Sequence, residues 1–586
     1  MSYNRYCNAI NILAAVAAIS VTAPAYAQQA GLQINVVNNE TGAPVANAEV
    51  TIENADIGLK RVVRSDDFGR VRLEALATSG LYNVSVAAAE GYDAASAGPV
   101  SLRSNFTGSV TIRVGAKAAS DIVVTGTRAV TGINTVNAEV SSSLPREALT
   151  ALPIEGRDVI QALIRLPNVV ASTGFFPEAP VVSINGANGL ETNYLIDGLD
   201  NNENFLGGPK FPVPLGFTKE VTVLANSYSV EFGRTANGII NYTSPSGTND
   251  LTGEVYTLIR PGRPLDARSA FPRRDLTGNP VGESFERYQG GFAVGGPIVK
   301  DKTFFYASFE YTRDKNNQLV DAPQLGVTQN VTGNNEFLLG SLRLDHRFND
   351  ELTATLRGNF GRVTIERPGG GLGGGNNTFP SAGSDEFRPS TIIVGSLNYA
   401  GEDWTYDGSL QYSRFRFQYA RTNVPAGPQV SIQDQTGLGV GTVGHPGFVF
   451  NDIENTFQTV QRLQRRFGNH RVKIGVDYIR SNFDLLGGGN PDGNFTVTLT
   501  PAQLATLRGR NLGLNLSAQD VLSLNPVVNN FSVELRPQSF GTSQNLLAFY
   551  LEDEWQVTSK LTATAGLRWD YDSLTGKGGK GGDYDN

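Results

Sequence analysis

The side chains that could carry chemistry are few, and the most closely spaced of them are acidic. Asp197 and Asp200 lie in a stretch rich in Asn, Asp and Gly, and such carboxylates could bind a divalent metal ion. We interpret them instead as residues that cap turns, because these residue types favour turn conformations. Glu231 and Arg234 could pair with each other or with charges on a surrounding wall, which predicts a structural lock rather than a catalytic pair.

Nucleophiles and soft metal ligands are scarce. The sequence holds 1 Cys and 3 His in 586 residues, and these are Cys7, His346, His445 and His470. An intramolecular disulfide is impossible, and a zinc site with three or four Cys and His ligands is nearly excluded. No nucleophile–base pair is visible either. We therefore predict that the protein is not an enzyme, with no catalytic residue, metal site or cofactor.

The composition argues against nucleic acid as the main partner, and the fraction of charged residues is low for a soluble protein. The formal net charge is −8, whereas a nucleic-acid partner would favour a basic face. Charged residues make up 18% of the chain, below the ~25% of typical soluble domains. Gly is abundant at 66 residues and aromatic residues reach 9%.

Residues 1–27 have the organisation of a secretory signal peptide. Arg5 precedes an apolar run from about Ile10 to Ile19, and Ala25-Tyr26-Ala27 is a small-x-small cleavage site. The apolar run is shorter than the ~20 residues that a spanning helix needs. No later stretch is a plausible transmembrane helix, so insertion into a membrane would have to use β-strands that close into a barrel.

Residues 28–117 predict a small β-sandwich. Short alternating runs such as Leu32, Ile34 and Val36 are separated by turn residues, which suggests about seven strands. The turn-and-strand pattern resembles the carboxypeptidase regulatory-like domain, which implies an accessory Ig-like module rather than peptidase activity. The segments that carry this resemblance are Asn39–Val50, Asp67–Gly69, Gly80–Tyr82 and Glu90–Tyr92.

A linker at 118–135 contains a short β-prone run between small and polar residues. Such a run could simply be a strand, or it could add to the edge of a partner's sheet through main-chain hydrogen bonds. Its position after one globular module and before the next favours the second reading. It resembles the TonB box of TonB-dependent outer-membrane receptors, and the residues concerned are Asp121, Ile122, Val123, Val124, Thr125 and Gly126.

Residues 136–250 carry the most specific motifs. A helical pattern begins near Leu152, with Val159, Leu163 and Leu166 on one face, and Asn/Asp/Gly-rich turns follow between short strands. In their order these motifs resemble the plug domain of TonB-dependent receptors, in particular the Oar-like group with an N-terminal regulatory-like domain. The resemblance implies a small α/β plug that sits inside a barrel and gates it. The plug motifs include Asn185, Gly186, Asp197, Gly198, Asp200, Glu231, Gly233, Arg234 and Gly238.

Residues 251–586 alternate between apolar and polar side chains over long segments, which is the signature of an outer-membrane barrel. In one example Val472, Ile474 and Val476 oppose Lys473 and Asp477. Long loops are expected at about 364–389, 420–455 and 484–543. Eleven strands can be placed, and they start near 251, 288, 302, 337, 351, 390, 404, 456, 470, 545 and 560.

Receptors of the resembled type have about 22 strands, so we expect an incomplete transmembrane β-barrel and a C-terminally truncated or fragmentary chain. The fold class is therefore mainly β: an Ig-like sandwich, an α/β plug, then part of an antiparallel barrel. The resemblance implies the outer membrane of a Gram-negative bacterium, with the N-terminal domain in the periplasm.

The functional hypothesis is energised uptake of a scarce ligand, driven through the TonB box by TonB and its ExbB/ExbD complex. The ligand is unknown, and siderophores, cobalamin, oligosaccharides and peptides are the classes that the resemblance implies. The regulatory-like domain is compatible with carbohydrate binding. The alternatives are a non-transporting adhesive or structural protein of the outer membrane, in contact with its lipid, and a non-functional receptor fragment.

Overall fold

The structure is a computed structural model. It describes residues 30–103, 107–115, 139–172, 182–204, 207–262, 265, 285–369, 377–401, 403–421, 427–490, 492–534, 539–558 and 561–574. The predicted signal peptide at 1–27 and the predicted TonB box at 121–126 lie outside these residues. In the described part, no helix combines the length and the apolar character of a membrane span.

The N-terminal domain is a sandwich of seven strands, as the sequence predicts. The strands form two sheets, in the orders β4-β1-β7 and β3-β2-β5-β6. Leu32, Ile52 and Tyr82 are fully buried between them, because alternate residues of each strand point to the same face. The strands are β1 (Ala30–Asn38), β2 (Glu49–Asn54), β3 (Leu59–Arg64), β4 (Arg70–Leu76), β5 (Tyr82–Val86), β6 (Ala95–Val100) and β7 (Thr107–Val114).

The plug is a small α/β unit around a five-stranded sheet of order β12-β11-β14-β13-β8. Its helices are short: α2 begins after Asp158, whose carboxylate accepts a hydrogen bond from the Ile160 N–H at 3.0 Å, and it ends before Leu166. The elements are β8 (Val140–Pro145), α1 (Arg146–Ala151), a 3-10 turn (Glu155–Arg157), α2 (Val159–Leu163), β9 (Val169–Ala171), β10 (Val182–Ile184), a 3-10 turn (Gly189–Glu191), β11 (Thr192–Ile196), β12 (Leu199–Asp200), a 3-10 turn (Leu215–Phe217), β13 (Glu220–Asn226) and β14 (Gly238–Thr243).

The rest of the described chain forms one large sheet and a smaller unit made from its connections. Its elements are β15 (Thr252–Arg260), β16 (Phe285–Val299), β17 (Thr303–Ala322), a 3-10 turn (Pro323–Leu325), β18 (Val327–Arg347), β19 (Leu352–Arg367), a 3-10 turn (Pro380–Ala382), β20 (Ser384–Ala400), β21 (Trp404–Arg421), β22 (Gln429–Gln433), β23 (Gly439–Val443), β24 (Phe448–Phe467), β25 (His470–Gly489), β26 (Asn494–Thr498), α3 (Pro501–Gly509), a 3-10 turn (Gly513–Asn515), α4 (Ala518–Leu522), β27 (Val527–Ser532), β28 (Ser539–Thr558) and β29 (Leu561–Asp572).

The large sheet has eleven strands in the order β15-β16-β17-β18-β19-β20-β21-β24-β25-β28-β29, all antiparallel to their neighbours. Its two faces differ as the alternation predicts. Leu410 and Trp569 on the outer face are 50% and 52% exposed, whereas Arg357 and Asn359 on the inner face are 1% and 0% exposed. The polar inner face is buried because it surrounds the plug.

Several strands begin earlier than the sequence predicts. β18 starts at Val327 and β24 at Phe448, about ten and eight residues before the predicted starts. The added segments, 327–336 and 448–455, do not keep the strict alternation that marks a spanning strand, because the first is mostly polar and the second begins with three consecutive apolar residues.

The predicted loops at 420–455 and 484–543 contain a folded unit, which corrects that expectation. Residues 427–443 and 494–532, here called the loop unit, form a four-stranded sheet of order β23-β22-β26-β27 with α3 and α4. Its core includes Val430 and Val497 and continues onto Val320 at the tip of β17. Strands of five residues that pair across a long sequence separation leave only a weak local pattern, which explains the miss.

The N-terminal domain lies against the ends of the barrel strands that short turns connect, which is the periplasmic side. Arg61 Nε donates to the Asp350 carbonyl at 3.1 Å, and Arg347 donates to the Gly58 carbonyl at 2.9 Å. Phe304 of β17 packs in the core of the N-terminal domain. The sandwich is thus seated at the periplasmic mouth, beside the plug.

Candidate functional site

The plug fills the inner side of the large sheet, and its own core continues onto the wall. Leu339, Ile392 and Val394 from the barrel strands belong to the same buried apolar cluster as the plug core. The ring of Phe217 lies 6.2 Å from that of Tyr306 on β17. These contacts bring the charged plug residues against the polar inner face, where they have little access to solvent.

A first charge cluster surrounds Lys210, whose side chain is 1% exposed. Its Nζ lies 3.3 Å from Asp200 Oδ2 in the plug and 2.7 Å from Glu454 Oε1 on β24. Arg234 lies 3.5 Å from Asp200 Oδ1 and 3.9 Å from Asp477 Oδ2 on β25. The cluster therefore joins two plug segments to two neighbouring wall strands.

The surroundings of this cluster favour the charged forms of its plug groups. Burial alone would lower the pKa of Lys210, but the carboxylates of Glu454 and Asp200 raise it above its usual value. Burial likewise would raise the pKa of Asp200, but Lys210 and Arg234 hold it below its usual value. Each charge is stable in the low-polarity interior only because its partner is present.

A second cluster surrounds Glu231. Its carboxylate lies 2.7 Å from Arg462 Nη2 on β24 and 3.5 Å from Lys473 Nζ on β25. Lys473 also pairs with Glu552 on β28 at 2.9 Å. Burial would raise the pKa of Glu231, but the two cations hold it below its usual value. Arg568 on β29 donates to the Glu231 carbonyl at 2.7 Å, so four wall strands contribute to this cluster.

The opposite side of the plug is held in the same way. Asp197 Oδ2 lies 3.1 Å from Arg357 Nε on β19 and accepts a hydrogen bond from the Ser244 hydroxyl at 2.8 Å. Glu254 on β15 lies 2.7 Å from Arg146 Nη2 and 2.9 Å from Arg157 Nη2 in the plug. Charged contacts thus reach from β15 to β29, across the whole described sheet.

The structure places the predicted structural lock, Glu231 and Arg234, and the predicted turn caps, Asp197 and Asp200, as follows. Glu231 and Arg234 do not pair with each other; each pairs with the wall, which was the second possibility. Asp197 stabilises the chain at Ser244 and also pairs with an arginine, whereas Asp200 is buried at 4% exposure in an ion-pair cluster rather than capping a turn. Within the described residues, no group of three or more His, Cys, Asp or Glu side chains is arranged to hold a metal ion.

The predicted Asn and Gly residues lie in turns, or where the backbone comes close to another segment. Asn185 and Gly186 adopt positive φ angles of 55° and 79°, and the Asn185 amide donates to the Ala225 carbonyl at 3.0 Å, which ties the turn to β13. At Gly233, an added Cβ would lie 2.5 Å from Arg568 Nε. A side chain there would push that wall arginine away from the plug.

Gly198 and Gly238 serve the plug sheet itself. Gly198 adopts a φ angle of 78°, and its N–H donates to the Asn241 side chain at 2.9 Å. Gly238 begins β14, where an added Cβ would lie 2.9 Å from the Leu224 carbonyl oxygen. Both glycines therefore fix the plug's internal geometry rather than contacting the wall.

Sequence reasoning missed Lys210 and did not assign partners on the wall. The wall residues that pair with the plug lie on the polar face that alternation identifies, namely Arg357, Lys473, Asp477 and Arg568. A charged residue on the inward face of a spanning strand could therefore have been recognised as a candidate partner. Lys210 stands in an irregular segment and no periodic pattern marks it. Lys210 pairs with the wall only because β24 lies opposite it, and that arrangement exists only in the assembled fold.

The predicted TonB box leads into the plug at its sheet edge. The first described residue after the linker is Glu139, and it is followed at once by β8, which pairs only with β13 in the plug sheet. Burial raises the pKa of Glu139 to about 7. The described part of the plug therefore begins with a half-buried carboxyl group and an edge strand.

A large antiparallel sheet with an apolar outer face and a polar inner face, and a plug held on that inner face by charged and apolar contacts, are the features of a plugged outer-membrane barrel. Family models match three parts of the chain: a carboxypeptidase regulatory-like domain at 17–117, a TonB-dependent receptor plug domain at 133–239, and an outer membrane beta barrel domain at 243–335 and 317–586. The chain belongs to the family of TonB-dependent outer-membrane receptors.

Among curated proteins, the chain is similar to the TonB-dependent transporter Oar of Myxococcus xanthus, with 24% identity over 638 aligned residues. The match covers 95% of this chain and 58% of that protein, so the chain spans less than two thirds of its relative's length.

Two solved structures show the likeness in three dimensions. The outer membrane transporter YddB of Escherichia coli matches with a TM-score of 0.55 and 13% identity, over 74% of this chain and 57% of that one. The siderophore receptor PirA of Acinetobacter baumannii matches with a TM-score of 0.49 and 16% identity, over 74% and 56%. The first of these supports the fold, a plugged β-barrel of the outer membrane.

Proposed function

We propose that the protein takes up a scarce ligand across the outer membrane, with TonB supplying the force through residues 121–126. The observation that carries this proposal is the plug, whose charged residues form buried ion pairs with the barrel wall in addition to the apolar contacts at Leu339, Ile392 and Val394. The linker that bears the TonB-box-like sequence enters that unit at its edge strand β8, where an external pull would act directly.

Ion pairs suit a plug that has to move. When the plug shifts, the charges that it leaves behind on the wall can be rehydrated, which offsets part of the cost of separating them. An apolar interface of the same size would expose its full area to water at about 25 cal/mol per Å². The charged lining therefore holds the resting plug in one place and limits the work needed to displace it.

The contacts on the inner face indicate the class of ligand less directly than they support uptake. Phe415, Phe417 and Phe450 form a buried aromatic cluster on the outer half of the inner face, and Arg388 stacks over the Phe417 ring at 5.7 Å. In the chain, the first part of the loop unit lies between β21 and β24, the strands that carry these aromatic residues. Aromatic and cationic groups in this part of the wall are compatible with siderophores, oligosaccharides and peptides, which remain the classes proposed.

The test is deletion of residues 121–126 in cells that produce the chain. Four radiolabelled probes would be offered: ferric enterobactin, cyanocobalamin, maltoheptaose and a hexapeptide. For a probe that the cells accumulate, the deletion should abolish accumulation and leave surface binding unchanged, because the barrel and plug are intact. Accumulation at the original rate after deletion would contradict the proposal. A deletion of equal length elsewhere in the linker is the matched control.

A second candidate is an adhesive protein that transports nothing. It is favoured by strand β27, the exposed edge of the loop unit, where Val527 and Phe531 are 65% and 51% exposed. Such an edge can pair with another extended chain. This function predicts that cell adhesion depends on residues 527–532 and that residues 121–126 are dispensable, which is opposite to the outcome expected for uptake.

A further inference from the structure

A polar cavity lies between the N-terminal domain and the barrel, far from the plug clusters. One wall is the outer face of the sheet β4-β1-β7, and the other is the periplasmic turn between β24 and β25 together with β28. Its volume is about 50 Å³. The groups that matter here are Gln33, Arg70, Arg72, Arg466, His470 and Arg471.

Two of these arginines are neutralised. Arg72 lies 2.6 Å from Glu74 Oε1 and also pairs with Glu554 on β28. Arg471 lies 3.5 Å from Glu74 Oε1 and 3.3 Å from Glu554 Oε1. Two cations and two carboxylates form a set that joins the sandwich to the barrel, and one of these carboxylates, Glu554, also acts on Arg70.

Arg70 is a partly exposed cation that forms no ion pair in the described part of the chain, although its guanidinium carbon lies 4.9 Å from the centroid of the Phe68 ring. Its Nε and Nη2 atoms are inaccessible to solvent and reach no hydrogen-bond acceptor in the described part of the chain. The nearby Asp66 carboxylate is engaged by the backbone N–H groups of Phe68 and Arg70, at 2.9 and 2.8 Å. Burial lowers the pKa of Arg70, and the carboxylates of Asp66 and Glu554 offset this effect in part.

Arg466 adds a second unbalanced cation on the barrel side. It stands directly opposite Arg471 in the pairing of β24 with β25, and like charges in that arrangement repel each other. Arg471 is already shared between Glu74 and Glu554. Arg466 is exposed to solvent and forms no ion pair with any residue that the structure describes.

The geometry points to a binding site for a phosphate-type oxyanion in this cavity, held by Arg70 of the N-terminal domain and Arg466 of the barrel. A single water needs about 10–15 Å³ of such space, so the cavity can hold one tetrahedral group. Guanidinium groups present paired donors that match phosphate oxygens. The side-chain amide of Gln33 supplies a further neutral donor at the cavity.

The anion would act as a clamp. Arg70 and Arg466 belong to different domains, so an oxyanion that contacts both ties the sandwich to the periplasmic rim of the barrel. The source could be free phosphate or the phosphate of a lipid headgroup, since the turn lies at the membrane surface. This inference goes beyond the proposed uptake function and does not depend on it, because anion binding is measurable without transport.

The first experiment measures binding of radiolabelled inorganic phosphate to the full chain in a phosphate-free maltoside detergent, by equilibrium dialysis. We expect one saturable site, with at least tenfold weaker binding in Arg70→Gln and in Arg466→Gln. The matched control is Arg64→Gln, which removes an arginine of the same domain that is 60% exposed and pairs with Glu49. Absence of saturable binding in the wild type, or equal binding in wild type and both cavity variants, would overturn the inference.

A conservative variant separates loss of the site from loss of folding. Arg70→Lys keeps the charge but not the fork of donors, so it should bind phosphate with intermediate affinity and keep the far-UV spectrum of the wild type. Binding by Arg70→Lys as weak as that of Arg70→Gln would contradict the proposed geometry.

Native mass spectrometry with phosphatidic acid or inorganic phosphate then identifies the source. Retention of the lipid points to a headgroup, and retention of phosphate alone points to the free ion. Retention of neither, or equal retention by Arg466→Gln, would contradict the site.

Discussion

Replacing Lys210 by Met keeps the length of the side chain and removes its charge. In the wild type, Nζ lies 2.7 Å from Glu454 and 3.3 Å from Asp200. The substitution leaves both carboxylates buried, at 0% and 4% exposure. Asp200 keeps Arg234 at 3.5 Å, whereas Glu454 keeps only neutral donors, namely the side chains of Asn204 and Thr456. The cost should therefore fall mainly on the contact between plug and wall.

Breaking a buried pair by removing one partner costs about 3–5 kcal/mol. Because Arg234 compensates Asp200, we expect a value near the lower limit, about 3 kcal/mol. Since about 1.4 kcal/mol corresponds to a factor of ten in an equilibrium constant, opening of the plug should become about a hundredfold more frequent in this variant.

The assay is hydrogen exchange of the backbone amides in β11 and β14, the buried centre of the plug, with the protein in detergent. The control is Lys315→Met, which breaks a Lys–Glu pair of 2.9 Å whose side chains are 36% and 28% exposed. A partly exposed pair contributes about 0–1 kcal/mol, so exchange should change less than tenfold. Equal exchange in the two variants would refute the view that buried charges hold the plug.

Two further predictions concern the linker junction and the outer face. Burial raises the pKa of Glu139 to about 7 from 4.5, so the folded chain binds this proton more tightly than the unfolded chain. The stabilising contribution of the protonated Glu139 is then complete below about pH 4.5 and is lost as the pH rises to 7. In urea unfolding, Glu139→Gln should remove about 3 kcal/mol from the change in the free energy of unfolding between these pH values. An unchanged dependence of that free energy on pH would contradict the prediction. Leu410→Arg places a charge on the lipid-facing side of β21 and should destabilise the protein in lipid by about 2–4 kcal/mol. Leu438→Arg in the loop unit should be nearly neutral in the same refolding assay, and similar costs for both would contradict the assigned faces.

Much of the architecture follows from patterns that the sequence displays locally. The two-residue period of a spanning strand separates Lys473 and Asp477 from Val472 and Ile474, and this assigns the inner and outer faces without knowledge of the neighbours. The seven strands of the sandwich are readable for the same reason. The turn at Asn185 is marked by its residue types alone.

The rest depends on contacts between distant segments. Lys210 has no periodic signal, and its partner Glu454 lies on a strand that is placed beside it only when the barrel surrounds the plug. Asp200 has the composition of a turn residue, yet the wall buries it. In the loop unit, β22 pairs with β26 across the whole of β24 and β25, a pairing that no local pattern reveals.

The central claim is that TonB acts on this plug through residues 121–126, and disulfide cross-linking in cells tests it most directly. The chain's one cysteine is Cys7, within the predicted signal peptide, so single cysteines can be introduced at each of these positions and at Glu53 on the N-terminal domain. Against a TonB variant that carries one cysteine, adducts should form at positions 121–126 and not at Glu53→Cys. The absence of adducts at all of these positions, or equal adduct formation at Glu53→Cys, would contradict the account.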